Sequence, residues 1–203
     1  MPFRPVFASL PPILEEAFLR PVAAGRERSV FEIEGVPQLL FKISRPHRSK
    51  ERDANVRLRE ARTARLLVDR PDAPVARVFG RYPSELGEGI LFEALREADG
   101  MLAPDLGTLV AREGVPSDMS ALLTRFAAAA SRAGLPIIDA GPQNLVVFRP
   151  PGAAARLLLV DGYGDRKWLP IYWWSARLRE RQIRRRVEGI TRLLGLDKAE
   201  RSR

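Results

Sequence analysis

The first half of the chain alternates short apolar runs with turn-forming residues. Five such runs occupy residues 18–23, 28–34, 38–43, 73–82 and 88–95. Gly25 marks the first turn, Gly35 with Pro37 marks the second, and a loop from Ser84 to Gly89 separates the last two runs. Short runs bounded in this way indicate strands joined in sequence, so the pattern predicts a small antiparallel sheet.

In three other segments the apolar residues recur at the spacing of a helix and not at that of a strand. Residues 49–69 contain no Gly or Pro and are rich in Arg, Glu, Ala and Leu, which predicts a helix of several turns after the third strand. Residues 104–114 and 116–134 predict two more helices, the second ended by a glycine. The order of elements predicts an α+β fold with a β-rich lobe over residues 1–95 and a mainly helical lobe over residues 96–203.

One loop in the second half places polar side chains between apolar runs. In residues 134–148 an apolar strand leads into Asp139, a Gly-Pro turn follows, and Asn144 precedes a second apolar strand. A further apolar run ends in Asp161, and a hairpin between these two strands brings Asp161 beside Asn144. A carboxylate can accept a proton, and carboxylate and carboxamide oxygens bind hard cations such as Mg²⁺. Ordinary turn chemistry is the alternative interpretation.

Lys42 lies within one of the apolar strand runs of the first half. A buried ammonium group costs free energy unless it reaches an anionic partner, and Glu60 on the following predicted helix is a candidate for that partner. A strand lysine paired with a helix glutamate is one way in which proteins hold phosphate oxygens. The alternative is a lysine that faces solvent and a glutamate that forms ordinary pairs on the helix surface.

Composition narrows the class of protein. The 203 residues contain no cysteine, which excludes disulfides and thiolate metal sites and suits a reducing compartment. The N-terminal stretch is broken by prolines and carries Glu15 and Glu16, so it does not resemble a signal peptide. No apolar run reaches the roughly 20 residues that a membrane span requires. These features predict a soluble, cytoplasmic protein without a transmembrane segment.

The net charge of +9 is concentrated near the C-terminus. There, arginines surround an apolar stripe of Ile183, Val187, Ile190 and Leu194, which predicts a surface helix packed through that stripe. Contact with an anionic membrane surface, RNA or an acidic protein is the alternative use of these arginines. The aromatic run at residues 172–174 indicates a buried or half-buried anchor for the helix, with base stacking as the alternative.

The order of these features resembles the protein-kinase-like fold. A glycine turn, a strand lysine, a helix glutamate, an Asp-x-x-x-x-Asn loop and a strand-terminal aspartate follow one another along the chain. The stretches LLFKI, LREARTARLL, PQNLVVF and LVDGYGDRKWLPIYWW are similar to the bacterial PhoP regulatory network protein YrbL family within that superfamily. The resemblance runs from about Gly25 to Leu194. It implies a single two-lobed kinase-like domain over residues 1–203 with a truncated C-lobe.

The resemblance implies a nucleotide site with ATP and Mg²⁺ as cofactors. It implies that Lys42 contacts the α- and β-phosphates, that Glu60 orients Lys42, and that Gly25 lies in the loop over the phosphates. It also implies that Glu93 and Leu95 lie near the adenine edge.

The same resemblance implies roles in phosphoryl transfer. Asp139 takes the position of the catalytic base, Asn144 that of a metal ligand, and Asp161 that of the principal Mg²⁺ ligand. The implied function is that of a small ATP-dependent phosphotransferase with an unknown acceptor. The implied partners are a nucleotide and either that acceptor or a regulatory protein.

Departures from the family pattern leave other functions open. Ile137 and Ile138 stand where kinases carry a histidine–arginine pair, and Gly141 stands where they carry a lysine. The stretch around Gly25 holds one glycine where kinases usually hold three. These changes are typical of a catalytically weak or inactive pseudokinase, here a regulator linked to a PhoP-type network. The arginine-rich C-terminus leaves a third alternative, a basic nucleic-acid-binding protein.

Overall fold

The computed structural model describes residues 10–24, 28–44, 67–68, 70, 72–150, 152–164 and 171–196. The chain forms two compact units: an N-terminal unit (Met1–Asp69 with Arg77–Ala94) and a C-terminal unit (Arg70–Ala76 with Leu95–Arg203). The last passage from one unit to the other lies between Ala94 and Leu95. A single domain over residues 1–203, with lobes 1–95 and 96–203, stays a prediction.

The N-terminal unit is built on one five-stranded sheet. Its strands are β1 (Leu19–Ala24), β2 (Arg28–Ile33), β3 (Leu39–Ser44), β4 (Val78–Ser84) and β5 (Gly87–Glu93). They lie in the order β1-β2-β3-β5-β4, and each neighbouring pair is antiparallel. A 3₁₀ turn at Glu16–Phe18 precedes β1. The predicted antiparallel sheet is confirmed.

The connection between β4 and β5 is shorter than predicted. The two strands pair as far as Ser84 and Gly87, so a two-residue turn replaces the expected loop from Ser84 to Gly89. The Ser84 hydroxyl donates to the Gly87 carbonyl oxygen at 2.6 Å. Gly87 has a φ of +113°, which glycine adopts without the steric cost that a side chain would bring. Strand pairing therefore extends into residues whose composition suggested a loop.

One face of the sheet forms the core of the N-terminal unit. Leu39 and Phe41 of β3 are fully buried together with Leu91 of β5. The segment before β1 covers this face, since Leu14 is buried in the same cluster and its backbone pairs with the end of β4. Because successive side chains of a strand point to opposite faces, Lys42 lies on the other face.

The C-terminal unit is mainly helical. Its helices are α1 (Leu106–Glu113), α2 (Met119–Arg132), α3 (Ile171–Trp174) and α4 (Ala176–Leu193). An antiparallel pair of strands, β6 (Leu145–Phe148) and β7 (Arg156–Leu159), follows α2 and a 3₁₀ turn at Pro142–Asn144. Helices α1 and α2 confirm the two segments that periodicity predicts in this region.

Several helix ends follow from local capping. Asp105 begins α1 by accepting a hydrogen bond from the N–H of Thr108 at 3.1 Å. Ser175 begins α4 in the same way, by accepting from the N–H of Leu178 at 3.4 Å. Gly134, with a φ of +62°, ends α2. These boundaries are set by hydrogen bonding and backbone conformation close in sequence.

Helix α4 packs against α2 through the predicted apolar stripe. Ile183 and Ile190 are buried, and Val187 is half-buried between them. The predicted anchoring role of the aromatic run is wrong for Trp174, whose side chain is 70% exposed. The chain caps a new helix at Ser175, and Trp174 is left on the outside. Among the described residues, no helix has the length and apolarity needed to cross a membrane.

Candidate functional site

The candidate site is a loop before β6 that is hydrogen-bonded to the turn after β7. The N–H groups of Ile138 and Asp139 both donate to the carbonyl oxygen of Gly162, at 2.8 and 2.9 Å. Ile137 forms one isolated antiparallel bridge with Tyr163. The prediction of a strand leading into Asp139 is therefore wrong. Two successive N–H groups converge on one carbonyl, which a regular strand ladder does not allow.

Asp139 and Asn144 are linked within this loop. The Asp139 Oδ1 atom accepts from the N–H of Gly141 at 3.0 Å, and the Asp139 carbonyl accepts from the Asn144 Nδ2 atom at 3.4 Å. The N–H of Asn144 in turn donates to the Gly141 carbonyl at 2.8 Å. Since its amide nitrogen faces Asp139, Asn144 has its carboxamide oxygen left to accept from a donor or bind a cation.

The hairpin of β6 and β7 brings Asp161 next to this loop. The strands pair from Leu145 opposite Leu159, and the N–H of Val160 donates to the Asn144 carbonyl at 2.9 Å. The predicted hairpin is thus confirmed. The Asp161 Oδ1 atom accepts from the N–H of Gly162 at 2.7 Å, which fixes the carboxylate at the end of the hairpin.

Gly162 allows the close approach of the two loops. Its φ is +81°, and a Cβ atom added there would lie far inside van der Waals contact with the Asp139 carbonyl oxygen and 2.9 Å from its carbon. The proximity of Asp139 is decided only in the tertiary structure.

Gln182 of α4 is a site residue that sequence reasoning misses. Its Oε1 atom accepts from the N–H of Ile137 at 3.2 Å, across 45 positions of sequence. It therefore supports the loop two residues before Asp139. No local signal could have identified it, because Gln182 is one polar residue in an arginine-rich helix.

Lys42 lies on β3 of the N-terminal unit and is half-buried. Its Nζ atom lies 5.6 Å from the centroid of the Phe92 ring. The strand register places Lys42 opposite Val30 on one side and Ile90 on the other. Alternation along β3 puts Leu40 on the same face. Val30, Leu40 and Ile90 therefore lie beside Lys42 on this face of the sheet. Only the strand register identifies Val30 as one of these neighbours.

Glu93 and Leu95 lie on either side of the boundary between the units. The N–H of Glu93 donates to the Arg77 carbonyl at 2.8 Å, and the Leu95 carbonyl accepts from the N–H of Ala103 at 2.8 Å. The N–H of Glu93 and the carbonyl oxygen of Leu95 therefore each form a hydrogen bond within their own unit. Gly25, Glu60 and the predicted helix of residues 49–69 lie outside the described residues, apart from residues 67 and 68, which are helical.

The C-terminal unit thus brings Asp139, Asn144 and Asp161 together, and the N-terminal unit holds Lys42. Asp161 and Asn144 offer hard oxygen donors, which fit Mg²⁺. In the part of the chain that the structure describes, no three His, Asp or Glu side chains cluster closely enough to hold a metal. Magnesium is commonly held by one or two protein ligands and completed by phosphate and water, so this donor set suits it.

Comparison with known proteins gives a family and a fold. A family model described as PhoP regulatory network protein YrbL matches residues 14–195. No curated protein sequence matches this chain. Solved structures of protein kinases do match, and they show that the fold is kinase-like.

Two of these structures illustrate the likeness. A Stt7 homologue from Micromonas algae, in crystals soaked with ATP, is 16% identical with a TM-score of 0.53, over 75% of this chain and 51% of the other. The PknI kinase domain of Mycobacterium tuberculosis, a double mutant, is 20% identical with a TM-score of 0.53, over 72% of this chain and 58% of the other. The match therefore spans between half and three fifths of the length of those two chains.

Proposed function

This chain belongs to the PhoP regulatory network protein YrbL family, and on that premise we propose that it is a small ATP- and Mg²⁺-dependent phosphotransferase with an acceptor still to be identified. The observation that carries the proposal is the hydrogen bonding between the Asp139 loop and the turn after Asp161. Two backbone hydrogen bonds to the Gly162 carbonyl hold these two segments together. A site that must position a metal, a phosphate and a base needs this kind of preorganisation.

In this proposal Asp161 and Asn144 hold the magnesium ion. The Asp161 carboxylate supplies the negative charge, and the Asn144 carboxamide oxygen supplies a neutral ligand. When bound, Mg²⁺ neutralises charge on the phosphate oxygens. Support comes from the hydrogen bond that fixes Asp161 Oδ1 at 2.7 Å from the N–H of Gly162.

The proposed nucleotide contacts of the N-terminal unit centre on Lys42. Its ammonium group binds phosphate oxygens, and the apolar side chains of Val30 and Leu40 on the same face cover the adenine ring. Glu60, Gly25 and the segment from Glu93 to Leu95 keep the roles that the kinase resemblance implies. The crystals of the similar Stt7 homologue were soaked with ATP, which supports the choice of nucleotide.

Asp139 is the proposed catalytic base. The Gly141 N–H holds one carboxylate oxygen at 3.0 Å, which orients the side chain. A carboxylate held through one oxygen keeps the other for the proton of the acceptor hydroxyl group. Gln182, which supports Ile137, is then a positioning residue for this base.

ATP binding is the first test of the proposal. We expect ATP with Mg²⁺ at about 100 times its Kd to raise the Tm of the wild-type chain by about 5–10 °C, because a ligand that binds only the folded state stabilises it by mass action. The measurement is a thermal melt with ATP, with Mg²⁺ and with both. A Tm that ATP and Mg²⁺ together leave unchanged contradicts nucleotide binding.

Turnover separates the phosphotransferase from a nucleotide-binding regulator. We expect Asp139→Asn to lower ATP consumption by roughly 10²- to 10⁴-fold while leaving the ATP-dependent rise in Tm intact, because Asn still accepts from Gly141 but cannot take up the proton. ATP consumption and the Tm shift are measured in parallel, with Asp118→Asn as the control for a lost exposed carboxylate.

If Asp139→Asn consumes ATP as fast as the wild type, Asp139 is not the base. If the wild type binds ATP but consumes none, the protein acts as a nucleotide-binding regulator and not as a phosphotransferase. The buried Ile137, which stands in the position of a basic residue, favours that second function.

A further inference from the structure

Helix α4 presents an arginine stripe on the side opposite its buried face. The stripe consists of Arg181, Arg185 and Arg192, with Leu178 on the same side of the helix. All four residues are exposed. These residues follow at intervals of three, four and seven positions, so they lie on one side of the helix. Ile183 and Ile190, which pack the helix, lie on the other side.

The stripe carries uncompensated positive charge. Helix α4 contains seven arginines and two glutamates. The Glu188 carboxylate lies 3.9 Å from the Arg184 guanidinium and forms an ion pair with it. Part of the negative charge of Glu188 is therefore already neutralised by an arginine outside the stripe. Within the described ranges, no carboxylate lies within ion-pair distance of Arg181 or Arg185. Such a surface is complementary to a dense array of negative charge.

Two large apolar residues near the start of α4 are exposed. Trp174 is 70% exposed and Leu178 is 44% exposed. Tryptophan is favoured at membrane–water interfaces because one part of its ring system is apolar and its N–H is polar. A nucleic acid can stack on the indole, but it offers no comparable gain to the leucine. An aliphatic side chain beside arginines therefore favours a lipid surface.

We propose that the arginine stripe of α4, with Trp174, is a peripheral docking surface for an anionic lipid bilayer. The arginines bind the lipid phosphates, and Trp174 and Leu178 enter the boundary between head groups and acyl chains. The lipid contacts use none of the residues proposed to bind the nucleotide, so vesicle binding and nucleotide binding can be measured separately.

Vesicle binding tests the docking surface. We expect the full chain to sediment with vesicles of phosphatidylcholine and phosphatidylglycerol but not with vesicles of phosphatidylcholine alone. The combined substitution Arg181→Gln, Arg185→Gln and Arg192→Gln is expected to weaken binding about 100-fold, because each arginine near an anionic surface contributes about a factor of five. The matched control carries Arg125→Gln, Arg132→Gln and Arg149→Gln, which remove the same charge from exposed positions elsewhere in the unit and should bind like the wild type.

Tryptophan emission tests the insertion of Trp174. The anionic vesicles should shift the emission of the wild type to the blue, and Trp174→Phe should lose most of that shift. Equal loss of vesicle binding in the stripe and control variants overturns the proposal, since net charge alone would then explain binding. Absence of binding to anionic vesicles overturns it as well, and so does binding to single-stranded RNA without binding to vesicles.

Discussion

Asp161→Asn is expected to remove the Mg²⁺-dependent part of the rise in Tm that ATP produces. The substitution keeps an oxygen that can accept from the N–H of Gly162, so the turn after β7 persists. It removes the negative charge that a hard divalent cation requires of its principal ligand. The expected Tm shift with ATP and Mg²⁺ therefore falls from about 5–10 °C to the value with ATP alone. Thermal melts of both chains with and without Mg²⁺ measure this.

Asp118→Asn is the matched control for Asp161→Asn. Asp118 is an exposed carboxylate in the same unit, and its side chain makes no capping hydrogen bond to α2. We expect this variant to keep the full Mg²⁺-dependent shift. Persistence of that shift in Asp161→Asn would show that the metal is held elsewhere. Loss in both variants would show that net charge rather than a ligand is responsible.

Gly162→Ala is expected to be strongly destabilising and to disrupt the candidate site at once. A methyl group at this position would overlap the Asp139 carbonyl, and the φ of +81° is strained for any residue with a Cβ atom. The strain and the forced displacement together cost roughly 2–5 kcal/mol of unfolding free energy. Denaturant unfolding measures that cost. Because Asp139 and Asp161 are forced apart, the Mg²⁺-dependent Tm shift should also be lost.

Gly152→Ala separates backbone strain from overlap. Gly152 has a φ of +71°, similar to that of Gly162, but nothing lies within 4 Å of an added Cβ atom. The control should lose only about 1–2 kcal/mol and should keep the Mg²⁺-dependent shift. Equal losses of stability in the two variants would mean that the contact between Gly162 and Asp139 contributes nothing.

Periodicity predicts most of the elements but not their connections. Strands β2 and β3 and helices α1 and α2 follow from alternation or from helical spacing, since each buries one face. Composition predicts a longer β4–β5 loop than the structure has, because Ser84 and Gly87 are polar or small. Their pairing depends on a partner strand, which composition does not reveal. The exposure of Trp174 is not predictable from its apolar character, because it depends on where α4 begins.

Residue type and order single out Asp139, Asn144 and Asp161 as a group, and their roles stay predictions. Their order is visible because acidic and amide side chains interrupt apolar runs that can pair as a hairpin. The support that Gln182 gives to Ile137 is not visible, because 45 positions separate the two residues.

The amino-acid sequence by itself determined the alternation of strands and helices, the apolar stripe of α4 and the polar residues of the candidate loop. Only the tertiary structure decided that the Gly162 carbonyl accepts hydrogen bonds from two N–H groups. It also decided that Val30 shares a face of the sheet with Lys42 and that Trp174 is exposed to solvent. Side-chain chemistry and periodicity are local properties, and they can be read along the chain. Register, close approach and exposure depend on which distant segments meet, and that is settled only when the whole chain packs.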